Sequence, residues 1–166
     1  MEAVGQPIEL TFAPVDPSGP EAQAVLWEYF GELVSRYNAR PGSPEEIRES
    51  MVESPSDDLA GPTGVLILAY EGAGPVGCVG LRFRSGGVGQ VTRMFVTPPR
   101  RQRGIGITLL SELEAIARRR GITRLELDTR GDLVEARRLY IRAGFREVPA
   151  FNAGPYADHW FAKSLS

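Results

Sequence analysis

The sequence predicts an α/β protein with a mostly antiparallel sheet, and three observations support this prediction. Apolar residues recur at helical spacing in four segments. Short apolar segments bounded by glycine and proline lie between these helical segments and predict strands. The order in which helices and strands follow one another differs between the middle and the second half of the chain. In the middle, strands follow one another through tight turns, which indicates an antiparallel meander; a strand–helix–strand crossover comes next. The 166 residues suit one domain, residues 1–166, with a core from about 8 to 165.

The first elements are a strand and two helices. PIELTFAP, residues 7–14, alternates and predicts the first strand. Apolar residues between Ala22 and Tyr37 share one helical face, which predicts a long amphipathic helix. SPEEIRESMV, residues 43–52, has a serine cap, a proline at the first helical position and early glutamates, so we expect a second helix there.

The meander consists of VLILAYE (65–71), VGCVGLRFR (76–84) and QVTRMFV (90–96), with glycine-rich turns between them. GAGPVG, residues 72–77, matches the G-x-G-x-x-G pattern of dinucleotide-binding loops. Such a loop has to open a helix, whereas a proline and a strand follow here. We therefore interpret this stretch as a hairpin turn.

The second half alternates helices and strands. The segment 104–121 carries one apolar helical face and stops at Gly121, and ITRLELDT (122–129) predicts the next strand. A helix over 132–144 and two closing strands within 145–151 and 156–165 complete the expected order. This half supplies the crossover behind the meander.

Composition excludes several classes of protein. No apolar run reaches the length of a membrane span, and the start of the chain lacks the pattern of a signal peptide, so we expect no membrane association and a cytoplasmic location. One cysteine, Cys78, and one histidine, His159, exclude an internal disulfide and a His/Cys metal cluster, and both residues suit structural roles. No metal is expected.

The charge is unevenly distributed. Residues 1–70 contain 3 basic and 12 acidic side chains, whereas residues 71–166 contain 16 basic and 9 acidic ones. The basic half could attract an anionic ligand and the acidic half a cationic one, or both could be ordinary solvated surfaces. No nucleic-acid partner is expected, because the arginines fall on several elements without a recognition motif.

The stretch RRQRGIGITLL, residues 100–110, has the context that the hairpin lacks, since a strand precedes it and a helix follows. A helix start carries unpaired N–H groups and partial positive charge. Gly104 and Gly106 would let an anion approach those groups, Arg101 and Arg103 would add charge, and Thr108 could offer a hydroxyl. The alternative is a glycine turn among surface arginines.

Two motifs resemble the GNAT superfamily of N-acetyltransferases. The first is R/Q-x-x-G-x-G/A, present as Arg101 to Gly106, and the second is the L-Y and G-F pair within RRLYIRAGF, residues 137–145. The resemblance covers nearly the whole chain and is weakest over the first two helices, where relatives build their acceptor sites. It implies a GNAT fold whose central mixed, mostly antiparallel sheet is flanked by helices and splayed between the fourth and fifth strands.

The resemblance also implies acetyl-CoA as co-substrate. The pyrophosphate would lie on backbone N–H groups of residues 102–108, and the pantetheine arm would run along residues 94–96. The strand that contains residues 94–96 would carry a bulge and splay from the next strand, which would leave unpaired amides that can polarise the thioester carbonyl. The implied acetyl-CoA-binding residues are Met94, Phe95, Val96, Arg101, Gln102, Arg103, Gly104, Ile105, Gly106, Ile107 and Thr108.

For catalysis, the resemblance implies direct attack of a primary amine in a ternary complex. Tyr140 would protonate the leaving thiolate, or it would be a core aromatic whose hydroxyl is satisfied elsewhere. The position where many relatives have a glutamate base is Gln90, which cannot accept the proton. A water relay, Glu126, Asp128, the acidic first half or a low-pKa amine remain as alternatives.

The acceptor is open: a small-molecule amine and a peptide amine both fit, with the acidic first half favouring a cationic small molecule. Candidate acceptor-binding residues are Tyr29, Arg36, Gln90 and Tyr156. A non-catalytic acyl-CoA-binding sensor or regulatory module is the alternative function. Dimers are frequent among relatives, so a homodimer stays open.

Overall fold

The computed structural model describes residues 9–165. Within them, one seven-stranded sheet is flanked by four helices, which confirms the predicted fold class. The strands are β1 (Leu10–Val15), β2 (Gly64–Glu71), β3 (Gly74–Arg84), β4 (Val88–Val96), β5 (Arg124–Thr129), β6 (Arg146–Val148) and β7 (His159–Ser164). The helices are α1 (Pro20–Asn38), α2 (Pro44–Glu53), α3 (Ile105–Arg119) and α4 (Val134–Arg142).

The strand order is β1-β2-β3-β4-β5-β7-β6. The strands β2, β3 and β4 form the predicted antiparallel meander, and β1 pairs antiparallel with the outer edge of β2. The GAGPVG stretch is a hairpin turn, as expected: Glu71 pairs with Gly74, and Gly72 has a φ of 62°. Positive φ is readily available to glycine, which explains a glycine at this turn.

The sheet splays between β4 and β5, as the resemblance implied. These parallel strands pair only from Val88 to Gln90, opposite Arg124 to Glu126. On its other side, β5 pairs along its whole length with β7. The remaining six residues of β4 therefore face a gap in the sheet, and that gap is where the two clefts described below meet.

A β-bulge shapes the end of β4. Cys78 pairs with Phe95 and Gly80 with Thr92, so the single residue between them in β3 faces two residues, Arg93 and Met94. Arg93 has a φ of 55°. A bulge of this kind bends its strand and increases the local twist, which helps to turn the end of β4 away from β5.

The core lies in two clusters, one on each face of the sheet. One cluster packs α3 against the sheet through residues such as Leu109, and the other packs α1 through residues such as Leu26. In β2, Ile67 belongs to the α3 face and Leu68 to the α1 face, as strand alternation requires.

The end of the chain differs in detail from the prediction. β6 covers only Arg146–Val148 of the expected 145–151, and β7 inserts between β5 and β6. Pro149 cannot donate to a strand ladder, which accounts for the early end of β6. Residues 7 and 8 of the predicted first strand lie outside the described residues. No helix within residues 9–165 has the length and apolar character needed to cross a membrane.

Candidate active site

Two clefts meet at the splay. The first, called here the glycine-loop cleft, has a volume of about 740 Å³ and is lined by α1, the end of β4, the loop before α3, the start of α3, and α4. The second, the α2-side cleft, has a volume of about 660 Å³ and is lined by α1, α2, β4, the end of β5, α4 and the loop before β7. The residues that line both are Tyr29, Leu33, Met94, Leu133 and Ala136.

The glycine-loop cleft contains an anion-binding geometry at the start of α3. Gly104 caps the helix with φ 82° and ψ 4°, and a Cβ added there would meet nothing within 4 Å. The first helical bond runs from Thr108 N to Gly104 O, at 3.1 Å. The N–H groups of residues 105–107 precede that bond, have no partner within the helix, and carry the positive end of its dipole.

The structure gives a reason for a glycine at position 106 that differs from the expected approach of an anion. A Cβ at this position would lie 3.0 Å from Leu139 Cδ2 and 3.7 Å from Met94 Cε. The missing side chain therefore allows α3 to pack closely against α4 and β4. Gly104 alone of the two glycines leaves its open side free for a ligand.

Nine of the eleven implied acetyl-CoA residues line the glycine-loop cleft. The other two, Arg103 and Thr108, are outside its lining. Thr108 Oγ1 donates to Gly104 O at 2.9 Å, so its proton is engaged within the helix. The nine are Met94, Phe95, Val96, Arg101, Gln102, Gly104, Ile105, Gly106 and Ile107.

Arg101 is anchored from three sides. Its Nη2 donates to Glu32 Oε2 at 2.7 Å, its Nε donates to Val96 O at 2.8 Å, and its guanidinium lies 5.5 Å from the centre of the Phe95 ring. This arginine ties α1 to the end of β4. Part of its charge is thus matched by Glu32 before any ligand binds.

Arg36, a candidate for acceptor binding, lines the glycine-loop cleft and not the α2-side cleft. Its two terminal nitrogens donate to the two carboxylate oxygens of Glu135 at 3.1 and 3.3 Å. The hydrogen bond lowers the pKa of Glu135 and raises that of Arg36. The pair connects α1 with α4 across the splay.

Tyr140 is a core aromatic residue that also reaches a cleft. Its ring is buried in the core, 5.8 Å from the Phe145 ring and 6.0 Å from the Phe161 ring. Tyr140 nevertheless lines the α2-side cleft, and no group in residues 9–165 hydrogen-bonds to its hydroxyl. Burial, with smaller contributions from nearby Tyr29 and Asp128, raises the pKa of Tyr140, so the hydroxyl stays protonated at neutral pH.

The candidate bases on the strands differ in their surroundings. Gln90 lines the α2-side cleft and its Oε1 accepts from Arg84 Nη2 at 2.6 Å. Glu126 is paired with Arg124 at 2.9 Å and lines neither cleft. Asp128 lines the α2-side cleft.

Asp128 is held by residues that sequence reasoning missed. Asn152 Nδ2 donates to Asp128 Oδ2 at 2.8 Å, and Trp160 Nε1 donates to Asn152 Oδ1 at 2.9 Å. Asn152 lies in the loop between β6 and β7, which carries no motif. Only the pairing of β5 with β7 brings these three side chains together.

Arg93, at the bulge, was also missed. It is buried, lines the α2-side cleft, and its Nη2 donates to Ser54 O at 2.9 Å while its Nε donates to Ser56 Oγ at 3.1 Å. The guanidinium lies 5.0 Å from the centre of the Phe30 ring. Arg93 therefore fastens the loop after α2 to the bulge.

The outer part of the α2-side cleft is aromatic and acidic. The rings of Tyr37 and Tyr156 meet edge to face at 5.4 Å, and both side chains are largely exposed. Tyr156 was a predicted acceptor residue, and Tyr29, the remaining candidate, lies at the junction of the clefts. The carboxylates that α2 contributes are Glu46, Glu49 and Glu53.

His159 and Cys78 lie outside both clefts. His159 Nδ1 and Glu147 Oε2 are 2.9 Å apart on the β6–β7 edge. Cys78 Sγ donates to Arg93 O at 3.1 Å, and burial raises the pKa of the Cys78 thiol to about 12. A neutral, buried thiol is a poor nucleophile.

Known acetyltransferases are similar to this chain in sequence. An aminoglycoside N(6')-acetyltransferase type 1 of Klebsiella aerogenes is 30% identical over 114 residues, covering 64% of this chain and 75% of that protein. An IAA acetyltransferase of Azospirillum brasilense is 38% identical over 101 residues, covering 59% of this chain and 63%, less than two thirds, of that protein.

A solved structure supports the fold. PaiA N-acetyltransferase from Thermoplasma acidophilum, in complex with coenzyme A, superposes with a TM-score of 0.74 at 19% identity, covering 95% of this chain and 99% of that one. The family model described as the acetyltransferase (GNAT) family matches residues 23–145, which include both motifs that carried the resemblance. The chain therefore belongs to the acetyltransferase (GNAT) family and is an enzyme of the acetyltransferase class.

Proposed function

We propose that the protein is an acetyl-CoA-dependent N-acetyltransferase that acts on a primary amine. The observation that carries this proposal is the junction of two clefts at the splay, with an anion-binding helix start in one and a protonated tyrosine hydroxyl in the other. Acetyl-CoA would enter from the glycine-loop cleft and the amine from the α2-side cleft. Their reacting atoms would meet beside Met94, which lines both.

The residues present fit acetyl-CoA on structural grounds. A pyrophosphate would accept hydrogen bonds from the N–H groups of residues 105–107, and Gly104 leaves the approach open. The pantetheine arm would pair with the backbone of β4 beyond Gln90, where β5 no longer does. Ile107 and Ile141, both exposed in this cleft, offer apolar surface to the remainder of the molecule.

The chemistry follows from the two sides of the junction. The amine would attack the thioester carbonyl directly, since Cys78, the sole cysteine, is buried outside the clefts and no acyl-enzyme step is needed. Backbone N–H groups of β4 that face the splay would stabilise negative charge on the carbonyl oxygen. Tyr140 would give its proton to the departing sulfur.

The relatives support an amine acceptor. One relative is by name an aminoglycoside N-acetyltransferase and another structure contains coenzyme A. A small-molecule amine fits the α2-side cleft, whose volume is about 660 Å³. The carboxylates of α2 favour a cationic acceptor over an anionic one.

Calorimetric titration with acetyl-CoA, followed by assay of CoA release with a panel of primary amines, tests the proposal. We expect saturable binding near one acetyl-CoA per chain and amine-dependent CoA release. Binding without release by any amine would favour the acyl-CoA sensor. A folded sample that does not bind acetyl-CoA would refute the proposal outright.

A further inference from the structure

We propose that Asp128 is the catalytic residue that binds the acceptor's ammonium group and takes its proton, with Asn152 and Trp160 as positioning residues. This inference rests on the proposed function, because it assigns the proton acceptor for the same reaction. Asp128 would act as the base, a role that Gln90 cannot perform because it cannot accept the proton.

The other carboxylates around the clefts are paired with cations or lie on α2 instead of the sheet. Glu46 accepts from Arg40, Asn38 and the Ser43 N–H, which hold the pKa of Glu46 down to about 2. Glu32 is paired with Arg101, and Glu135 with Arg36. The remaining pair, Glu49 and Glu53, line the α2-side cleft from α2 and do not lie on the sheet.

Asp128 is the carboxylate on the sheet itself at the splay. Glu126 pairs in register with Gln90, and Asp128 lies two residues farther along β5, past the last β4–β5 pair. Residues two apart in a strand point to the same face. Asp128 therefore projects on the same side as Gln90, at the point where the two strands have separated and the α2-side cleft opens.

The carboxylate is oriented but retains free acceptor capacity. Asn152 donates to Oδ2 of Asp128, and Asn152 is in turn fixed by the indole N–H of Trp160. The second oxygen, Oδ1, accepts no hydrogen bond from a group within residues 9–165. A functional group held by a second, itself oriented partner is the arrangement found for acid–base catalysts.

The proposed step balances atoms and charge. The ammonium gives one proton to the Asp128 carboxylate, which later returns it to solvent, and the neutral nitrogen forms a bond to the acetyl carbon. The carbon–sulfur bond breaks, and Tyr140 protonates the sulfur. Tyr140 recovers its proton from the second hydrogen that leaves the nitrogen, so one proton is released for each acetyl group transferred.

Several ionisable groups face the same space and could affect a pH profile. They come from every element packed around Asp128: α1, α2, β4, the segment after β5, α4 and the loop before β7. These groups are Tyr29, Tyr37, Glu46, Glu49, Glu53, Arg93, Arg130, Tyr140 and Tyr156.

The test compares Asp128→Asn with Glu126→Gln, a matched change on the same strand face outside both clefts. With the best amine of the panel, we expect Asp128→Asn to lower kcat/KM about 100-fold at pH 7, as for other lost general bases, with acetyl-CoA affinity unchanged. For Asp128→Asn, kcat/KM should rise about tenfold per pH unit below the amine pKa, because only the free amine then reacts. For the wild type, kcat/KM should not change with pH near neutrality. Glu126→Gln should match the wild type.

Three results would overturn the inference: parallel pH profiles for wild type and Asp128→Asn, a loss below threefold, or an equal loss in Glu126→Gln. Asp128→Ser is the second variant if the asparagine does not fold, with folding checked by circular dichroism. A wild type that releases no CoA with any amine would refute the proposed function itself, and the Asp128 role with it. A wild type that is active while Asp128→Asn is unimpaired refutes the Asp128 role alone.

The positioning residues have their own test. Trp160→Phe keeps an aromatic ring at this position, although a smaller one, and removes the indole N–H that fixes Asn152. We expect it to lower kcat severalfold in the wild-type background and to have no effect when combined with Asp128→Asn, because the group it positions is then gone. An equal loss in both backgrounds would show that Trp160 acts only through stability.

Discussion

The two clefts are built in different ways. The glycine-loop cleft takes its anion-binding character from backbone N–H groups and one open glycine, all within a continuous stretch before and inside α3. The α2-side cleft takes its character from side chains of α1, α2, β4, β5 and the loop before β7. A common co-substrate can be recognised by backbone geometry alone, whereas an acceptor that differs among relatives requires side chains that can be exchanged without altering the fold.

The largest expected effect concerns the backbone site. Gly104→Asp and Gly104→Asn impose similar strain, since both residues tolerate positive φ, but only the aspartate adds charge. Repulsion of about 4 kcal/mol is expected between like charges 4 Å apart at an effective dielectric of about 20. We therefore expect calorimetry to show acetyl-CoA affinity reduced by on the order of 100-fold or more in Gly104→Asp and by less than tenfold in Gly104→Asn. Equal affinities would contradict the placement of the pyrophosphate.

The next effect separates chemistry from binding at the junction. Tyr140→Phe keeps the ring that packs on Phe145 and Phe161 and removes only the hydroxyl. We expect kcat to fall about 100-fold, the usual size of a lost general acid, with acetyl-CoA affinity and thermal stability nearly unchanged. Steady-state kinetics measure kcat, and calorimetry measures the acetyl-CoA affinity and the thermal stability. An unchanged kcat would leave Tyr140 as a core residue alone.

A smaller effect should distinguish the outer part of the α2-side cleft. Tyr156→Ala removes one ring of the Tyr37–Tyr156 pair, whose contribution is about 0.5–1.5 kcal/mol in comparable aromatic pairs. We expect KM for the acceptor to rise roughly threefold to tenfold while acetyl-CoA affinity stays constant. Val52→Ala, an exposed apolar change on α2 outside both clefts, is the control. A similar shift in the control would argue against direct contact.

The smallest effect is expected for chemical labelling of Cys78, which lies on β3 next to the bulge. Thiolate is the reactive form of cysteine, and the Cys78 thiol is buried with its pKa raised to about 12. The fraction ionised at pH 8 is then far lower than for an exposed thiol. We expect a thiol-specific reagent to leave native protein unmodified at pH 8 and to label it on unfolding. Rapid labelling of native protein would show that the core between α1 and β3 opens under native conditions.

Local signals made the fold and the glycine loop predictable. Helical periodicity placed α1 and α3, strand alternation placed the meander, and the glycines of residues 101–106 marked the helix start. Each of these signals acts within a few residues of its cause. The splay itself came from the resemblance to the family, not from the strand patterns.

Long-range contacts explain what the sequence did not reveal. The resemblance implied a bulge in β4, but the position of Arg93 in it depends on register with β3. The Asp128–Asn152–Trp160 chain depends on which strand lies beside β5. Arg36 lies on the face of α1 that contacts Glu135, nearly a hundred residues away in sequence, and so lines the glycine-loop cleft. The residues in each of these contacts belong to different segments of the chain, so the local periodicity of helices and strands gives no sign of the contact.

The bulge in β4 also changes the phase of the strand. Val91 packs on the α3 face and Phe95 on the α1 face, although residues four apart in a regular strand share one face. The extra residue thus assigns Met94 and Val96 to the α3 face and Phe95 to the opposite one. Regular pairing of the same residues without the bulge would exchange these assignments, whereas deletion of Arg93 would remove the bulge and keep them. The bulge works as a one-residue frame shift, and in comparing relatives a gap at this position would carry more meaning than a substitution.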